Sequence, residues 1–134
     1  MLRAEQRTYT SDVRELRRMS AWWREWATER GLSTDLLDRG ELCLNEAAGN
    51  IVQHTVRPNT IVLTLEQEPA SVRMTLADDG QAFDPVGQDV ADLPRTLDEA
   101  RPGGLGLRIV RSATETMSYR RADGWNSLTL ILTT

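Results

Sequence analysis

The sequence predicts an α/β fold of the α+β kind: a two-layer sandwich whose largely antiparallel sheet is covered on one face by about three helices. Three observations predict it. Apolar residues recur at helical spacing in two successive segments between Val13 and Thr55. Two segments that alternate apolar and polar residues follow, joined by a turn. A helix opened by glycines then precedes a second alternating pair. With 134 residues and no internal repeat, the chain suits one compact domain, residues 1–134.

Residues 3–9 are short and mixed and are expected to form an edge strand. Thr10-Ser11-Asp12 offers N-cap side chains, and Asp12 with Glu15 resembles a capping box. Val13, Leu16, Met19, Trp23 and Trp26 then make one apolar stripe on a helix running to about Arg30. The tryptophans read as core packing, with a partner-binding patch as the alternative. Trp22 lies at the edge of the stripe and is expected to be the most exposed of the three. Gly31 ends this helix and Ser33-Thr34-Asp35 caps the next. Leu37, Leu44, Ala47, Ala48, Ile51 and Thr55 share a face of the second helix, which runs to about His54 or Thr55 before Arg57-Pro58-Asn59 breaks it.

In residues 60–66, Ile61, Leu63 and Leu65 point one way; in residues 71–78, Val72, Met74 and Leu76 do the same. Gln67-Glu68-Pro69-Ala70 reads as the turn of this hairpin. Periodicity collapses across residues 84–102, where Pro85, Pro94 and Pro102 interrupt it. A connection of that length is usually functional or mobile. Gly103–Gly106 opens a third helix carrying Leu107, Ile109, Val110 and Ala113. Residues 117–121 and 127–133 close the chain as a hairpin around Asp123-Gly124, with Leu128, Leu130 and Leu132 on its buried face.

Composition excludes several function classes. Hydrophobic residues make up 40%, too many for a disordered chain. No run approaches a membrane span and the N-terminus lacks a secretory apolar region, so a cytoplasmic protein without membrane contact is expected. Cys43, the single cysteine, lies in an apolar helix pattern and is expected to be buried; it excludes an internal disulfide. A net charge of −4 argues against direct nucleic-acid binding. All cationic side chains are arginine, so lysine-dependent phosphate loops are excluded.

Three groups of residues carry candidate chemistry. Glu46, Asn50 and His54 are spaced by four residues. Each step advances only about 40° around a helix, so they form one polar stripe. An amide oxygen such as that of Asn50 could join phosphate oxygens on Mg²⁺, and a carboxylate one turn away could accept a proton from a hydroxyl. Taken alone, the stripe is closer to an ordinary solvated face. Asp78-Asp79-Gly80-Gln81-Ala82-Phe83-Asp84 places a carboxylate at a strand end, then a glycine that permits a tight turn or close approach. Such a carboxylate can accept from an exocyclic amino group, although Asp-Gly pairs are also common in surface turns. Gly103-Gly104-Leu105-Gly106-Leu107 opens a helix whose free N–H groups suit phosphate, and Arg101 just before it could meet a terminal phosphate. A flexible linker and a solvent-exposed arginine are the plain alternatives.

Order and spacing make the ensemble more specific than its parts. The run Leu44-Asn45-Glu46-Ala47-Ala48-Gly49-Asn50-Ile51-Val52-Gln53-His54, then residues 78–84, then Gly103 to Val110, resembles the GHKL-type (Bergerat) ATP-binding fold. Within it the chain is similar to the anti-sigma-factor serine/threonine kinases of bacterial partner-switching pathways. The resemblance implies a protein serine/threonine kinase that uses ATP and Mg²⁺. Asn50 would coordinate the metal and Glu46 would be the general base. Asp78 would accept from the adenine amino group, with Gly80 shaping the turn and Phe83 beside the nucleotide. Residues 84–102 would form an ATP lid, and Arg101, Gly103, Gly104, Leu105, Gly106 and Leu107 would face the phosphates. Thr129 would lie beneath the base, and His54 would supply a structural hydrogen bond. The implied partners are a small anti-anti-sigma (STAS-type) antagonist as phosphoacceptor, a sigma factor or other output protein, and a second copy of the chain. An ATP-gated binding module with little kinase activity is the alternative. Two features depart from the family pattern: Gly49, which weakens its helix by up to about 1 kcal/mol, and the Trp-rich first helix.

Overall fold

The computed structural model describes residues 3–54, 59–86 and 104–134. Strand β1 (Ala4–Thr10) leads through a short 3-10 turn (Val13–Glu15) into helix α1 (Leu16–Glu29) and helix α2 (Thr34–Gln53). Strands β2 (Thr60–Glu68) and β3 (Ser71–Asp78) follow, then helix α3 (Gly104–Ala113) and strands β4 (Thr116–Ala122) and β5 (Trp125–Thr133). The five strands form one sheet in the order β1-β2-β3-β5-β4, and every pairing is antiparallel.

The alternation read from the sequence sets which face is buried. Ile61, Leu63 and Leu65 on β2, Val72, Met74 and Leu76 on β3, and Leu128, Leu130 and Leu132 on β5 all point into the core beneath the helices. Residues 67 and 68 stay paired with Val72 and Ser71, so the first hairpin turns on Pro69-Ala70 alone, tighter than the four-residue turn expected. The second hairpin turns on Asp123 and Gly124, with φ of 54° and 81°, the left-handed pair that a two-residue hairpin loop requires. Because β5 lies between β3 and β4, the long excursion after β3 leaves the sheet at Asp78 and returns at its outer edge.

Three expectations for the first helix need correction. Val13 is not part of the buried stripe: it sits in the 3-10 turn and is 66% exposed. Asp12 caps that turn by accepting from the Arg14 N–H, while Glu15 accepts from the Thr10 hydroxyl and from Arg18 instead of closing a capping box. Trp22 is 5% exposed, not the open member of the cluster. The reason lies in β1, whose inward face carries Glu5, Arg7 and Tyr9 under α1. The Arg7 guanidinium lies 5.0 Å over the Trp22 ring, Arg18 lies 5.8 Å over Tyr9, and Arg30 bridges Glu5 while sitting 4.2 Å over Trp26. Only Tyr9 of β1 is buried.

Helices α1 and α2 close on each other through Gly40. A Cβ there would come 2.1 Å from Cζ2 of Trp23, so glycine is required for space in mid-helix. The Trp23 indole donates to the Leu37 carbonyl at 2.8 Å and stacks on Trp26 with centroids 5.9 Å apart. Gly31 ends α1 with φ of 66°, and Ser33 caps α2 by accepting from the Leu36 N–H, both as expected. Cys43 is buried, and burial pushes its thiol up to about 11. Among the described residues no helix is long and apolar enough to cross a membrane.

Candidate functional site

The C-terminal half of α2 does not close on the sheet as its N-terminal half closes on α1. Between it and the ends of β3 and β5 lies a cavity of about 470 Å³, a volume that includes open solvent at its mouth. Ala47, Asn50, Ile51 and His54 line it from α2, Leu76 and Asp78 from β3, and Tyr119, Asn126 and Leu128 from the closing hairpin. Gly80, Gln81, Phe83 and Pro85 complete one side from the segment after β3. A mostly apolar slot with a few converging polar groups is the form that small-molecule sites take.

The polar groups sit in positions that simple packing would avoid. Asn50 is 4% exposed, and its Nδ2 has no hydrogen-bond partner among the described residues. An unsatisfied buried amide destabilises a fold by about 1–3 kcal/mol, so its place in a cavity wall points to a ligand. Asp78 is 6% exposed. Burial pushes its carboxyl above the usual carboxylate range, opposed by hydrogen bonds from Asn126 and the Gly80 N–H. Gly80 is needed for close approach: a Cβ would lie 2.4 Å from Nδ2 of Asn59 and 3.2 Å from the Asp78 carboxylate. The neighbouring Asp79 turns away and accepts from the Thr60 N–H at 2.7 Å, which fixes the start of β2.

His54 caps the end of α2 and stacks its ring on Phe83, with centroids 3.9 Å apart and planes inclined by 24°. Its carbonyl accepts from the Gln81 side chain at 3.2 Å. The imidazole thus closes one end of the slot through a ring contact, where a hydrogen bond was expected.

The structure brings Asn50, Asp78, Gly80 and Phe83 together around one cavity. Glu46 is half-buried, one turn before Asn50 on the same helix and outside the cavity lining. Thr129 is not brought to the site. It pairs across β5 with Thr75 and Ser118 on the opposite face of the sheet, its hydroxyl 3.5 Å from that of Thr75. Alternation makes this unavoidable, since Leu128 and Leu130 point inward on either side of it. Gly104, Leu105, Gly106 and Leu107 form the first turn of α3, as the glycine pattern suggested. Arg101, Gly103 and most of the expected lid, residues 87–102, lie outside the described residues. Gly49 has open space where a side chain would stand, with nothing described within 4 Å. The three tryptophans of α1 are buried in the core and form no exposed patch.

Asn126 was missed as a site residue. It is buried, lines the cavity, and hydrogen-bonds the Asp78 carboxylate at 3.2 Å. The signal was available: it stands two residues before Leu128, on the inward parity of β5, where an amide has no place in a purely apolar face.

A family model described as "Histidine kinase-like ATPase domain" matches residues 9–132. The chain belongs to that family. The histidine kinase-like ATPase domain also accounts for the relatives found. Over 92 residues the chain is 47% identical to serine/threonine-protein kinase BtrW of Bordetella bronchiseptica. The match covers 66% of this chain and 65% of BtrW, so the chain spans a little under two thirds of that curated relative. Among solved structures, the RsbU and RsbW domains of a Mycobacterium tuberculosis protein superpose with a TM-score of 0.71 at 18% identity, covering 98% of this chain and 33% of that one. The histidine kinase domain of a blue-light activated histidine kinase from Erythrobacter litoralis superposes with a TM-score of 0.58 at 15% identity, covering 87% and 58%. At such identities the likeness speaks for the fold, which is the Bergerat-type sandwich expected.

An ATPase domain of this family binds ATP, and the lining of the cavity suits the adenine end of that ligand. Ile51, Leu76 and Leu128 offer apolar walls for a base, and Asp78 offers an acceptor at the floor. For a divalent cation the fit is narrower. Among the described residues no cluster of three or more His, Cys, Asp or Glu side chains could hold a metal. The available protein ligand is the Asn50 side-chain oxygen, which suits Mg²⁺ provided phosphate oxygens and water complete its shell, while the unpartnered Nδ2 can only donate to an acceptor on the ligand.

Proposed function

We propose that this chain is a protein serine/threonine kinase that binds ATP with Mg²⁺ and phosphorylates a hydroxyl on a small STAS-type antagonist, within a partner-switching circuit that also holds a sigma factor or another output protein. The observation that carries the reading is the pairing, in one cavity, of a buried carboxylate acceptor with an asparagine whose buried Nδ2 has no hydrogen-bond partner among the described residues. The cavity sits in a histidine kinase-like ATPase domain whose relative BtrW is named a serine/threonine-protein kinase.

In this reading the adenine lies between Ile51 and Leu128, with its amino group donating to Asp78. The phosphates extend toward the first turn of α3, where free backbone N–H groups and the helix dipole favour anions, with Arg101 and Gly103 nearby in the chain. Asn50 would hold Mg²⁺, which would neutralise charge on the phosphate oxygens. Glu46 stands outside the slot, where an incoming protein hydroxyl could reach it. It would take the hydroxyl proton as that oxygen bonds to the γ-phosphorus and the bond to the ADP oxygen breaks, releasing ADP. Phosphorylation would add charge to the antagonist and release it from the kinase. A homodimeric, cytoplasmic kinase completes the proposal.

Labelled ATP, the full chain and an antagonist that co-purifies with it provide the test. Label should pass to a serine or threonine of the antagonist. Glu46→Ala should lose about 10²–10⁴-fold in transfer rate, the range for a general base, while ATP affinity is kept. ATP-dependent binding of the antagonist with no transfer by the unaltered chain would instead establish a nucleotide-gated binding module.

A further inference from the structure

We propose that Asn126, clamped from strand β4 by Tyr119 and Arg121, is the positioning residue that aims the Asp78 carboxylate and so sets the cavity's preference for an adenine base. The inference rests on the nucleotide reading above and deepens it.

Oδ1 of Asn126 accepts from the Tyr119 hydroxyl at 2.5 Å, from Nη1 of Arg121 at 3.0 Å and from the Phe83 N–H at 3.4 Å. Its Nδ2 donates to the Gln81 carbonyl at 2.8 Å and to both Asp78 oxygens at 3.2 Å. Guanidinium and backbone N–H groups can only donate, and carbonyl and carboxylate oxygens can only accept. The amide therefore has one permitted orientation, because a flip would face donor to donor and acceptor to acceptor. Register supplies the clamp: Arg121 pairs with Asn126 and Tyr119 with Leu128, so all of them share the sheet face that carries Asp78. Arg121 also donates to the Gly80 carbonyl at 3.1 Å, fastening the turn beneath the cavity.

One amide thus fixes a carboxylate, the backbone turn that follows it and the edge strand in a single network. Asp78 keeps acceptor capacity toward the slot, in a direction that Asn126 determines. An acceptor so held receives the 6-amino group of adenine and meets the exocyclic O6 carbonyl oxygen of guanine at the same position with repulsion, which is how a hydrogen-bonding site discriminates.

The experiment measures ATP and GTP affinities, each with Mg²⁺, for the full chain and for Asn126→Ala, with thermal melts as a fold control. In parallel, the Asp78 carboxyl is titrated by NMR without nucleotide. Asn126→Ala should lose roughly tenfold of the ATP-over-GTP preference, about 1.4 kcal/mol. Its Asp78 should also titrate at higher pH, because a donor to the ionised form is gone. Tyr119→Phe and Arg121→Gln leave the amide in place and carry the same test should Asn126→Ala not fold; each should shift both readouts in the same direction by less. Equal loss for ATP and GTP, or an unchanged Asp78 titration, overturns the proposal. Absence of nucleotide binding in the unaltered chain sinks the nucleotide reading, and with it the base preference. The titration decides separately whether Asn126 positions Asp78.

Discussion

The two halves of helix α2 have opposite relations to their surroundings. The N-terminal half is closed: Gly40 takes the Trp23 ring against its backbone, the indole N–H finds the Leu37 carbonyl, and Cys43 has no exposure. Toward its C-terminal end the helix borders the cavity: Asn50 Nδ2 has no hydrogen-bond partner among the described residues, Ile51 and His54 are half-buried, and all three line the slot. One helix thus carries a region fitted for stability and a region left unfitted for binding. The difference teaches that stability and ligand affinity should separate along a single element.

The largest expected effect lies in the closed half. Trp23→Ala should lower unfolding free energy by about 3–5 kcal/mol, and Gly40→Ala by about 1–3 kcal/mol through overpacking, both read from urea denaturation. A loss under about 0.5 kcal/mol for both would mean that this end is not the tightly fitted one. At the cavity end the sign changes. Asn50→Leu removes an unsatisfied amide, so stability should hold or rise by up to about 2 kcal/mol while ATP binding is lost. A strongly destabilised Asn50→Leu chain would break the contrast.

The smallest effect concerns pH. Burial raises the Asp78 pKa above its ordinary 3.8, so Asp78 stabilises the fold most fully when protonated, below that value. That contribution is lost as pH rises through the folded-state pKa. Asp78→Asn stays neutral throughout. Its stability relative to the unaltered chain should therefore improve as pH rises from below 3.8 to neutrality. Denaturant melts across that range check the sign, and an opposite trend would show that Asn126 and Gly80 outweigh the desolvation.

Much of the fold was legible because the signals were periodic. Alternation assigned the inward faces of β2, β3 and β5, and capping residues placed both ends of the α1–α2 connection. What periodicity could not carry was how an edge strand changes its neighbours. Trp22 is buried because Arg7 of β1 lies over it, a contact between residues that share no local pattern. The site was legible in part. Spacing placed Asn50 and Asp78, and the structure brings them to one cavity. Glu46, on the same polar stripe as Asn50, stands outside the cavity because about 40° of rotation per step is enough to leave a narrow slot. Thr129 fails by a rule the chain itself displays, for it lies between two inward leucines. Asn126 was visible to the same rule and was passed over, because its weight comes from five partners gathered from three segments of the chain.

Strand β1 holds its inner face with guanidinium groups spread over aromatic rings, and Tyr9 is its one buried residue. Such a strand contributes little apolar surface to the global unfolding transition. Its amides are therefore governed by local opening, in which the strand parts from β2 while Leu63 and Leu65 remain covered by the helices. Backbone hydrogens of residues 4–8 should exchange with solvent long before those of β3 and β5. The expected pattern is a slow-exchanging centre, β3 and β5 with Asp78 and Asn126 side by side, next to an edge strand that exchanges first.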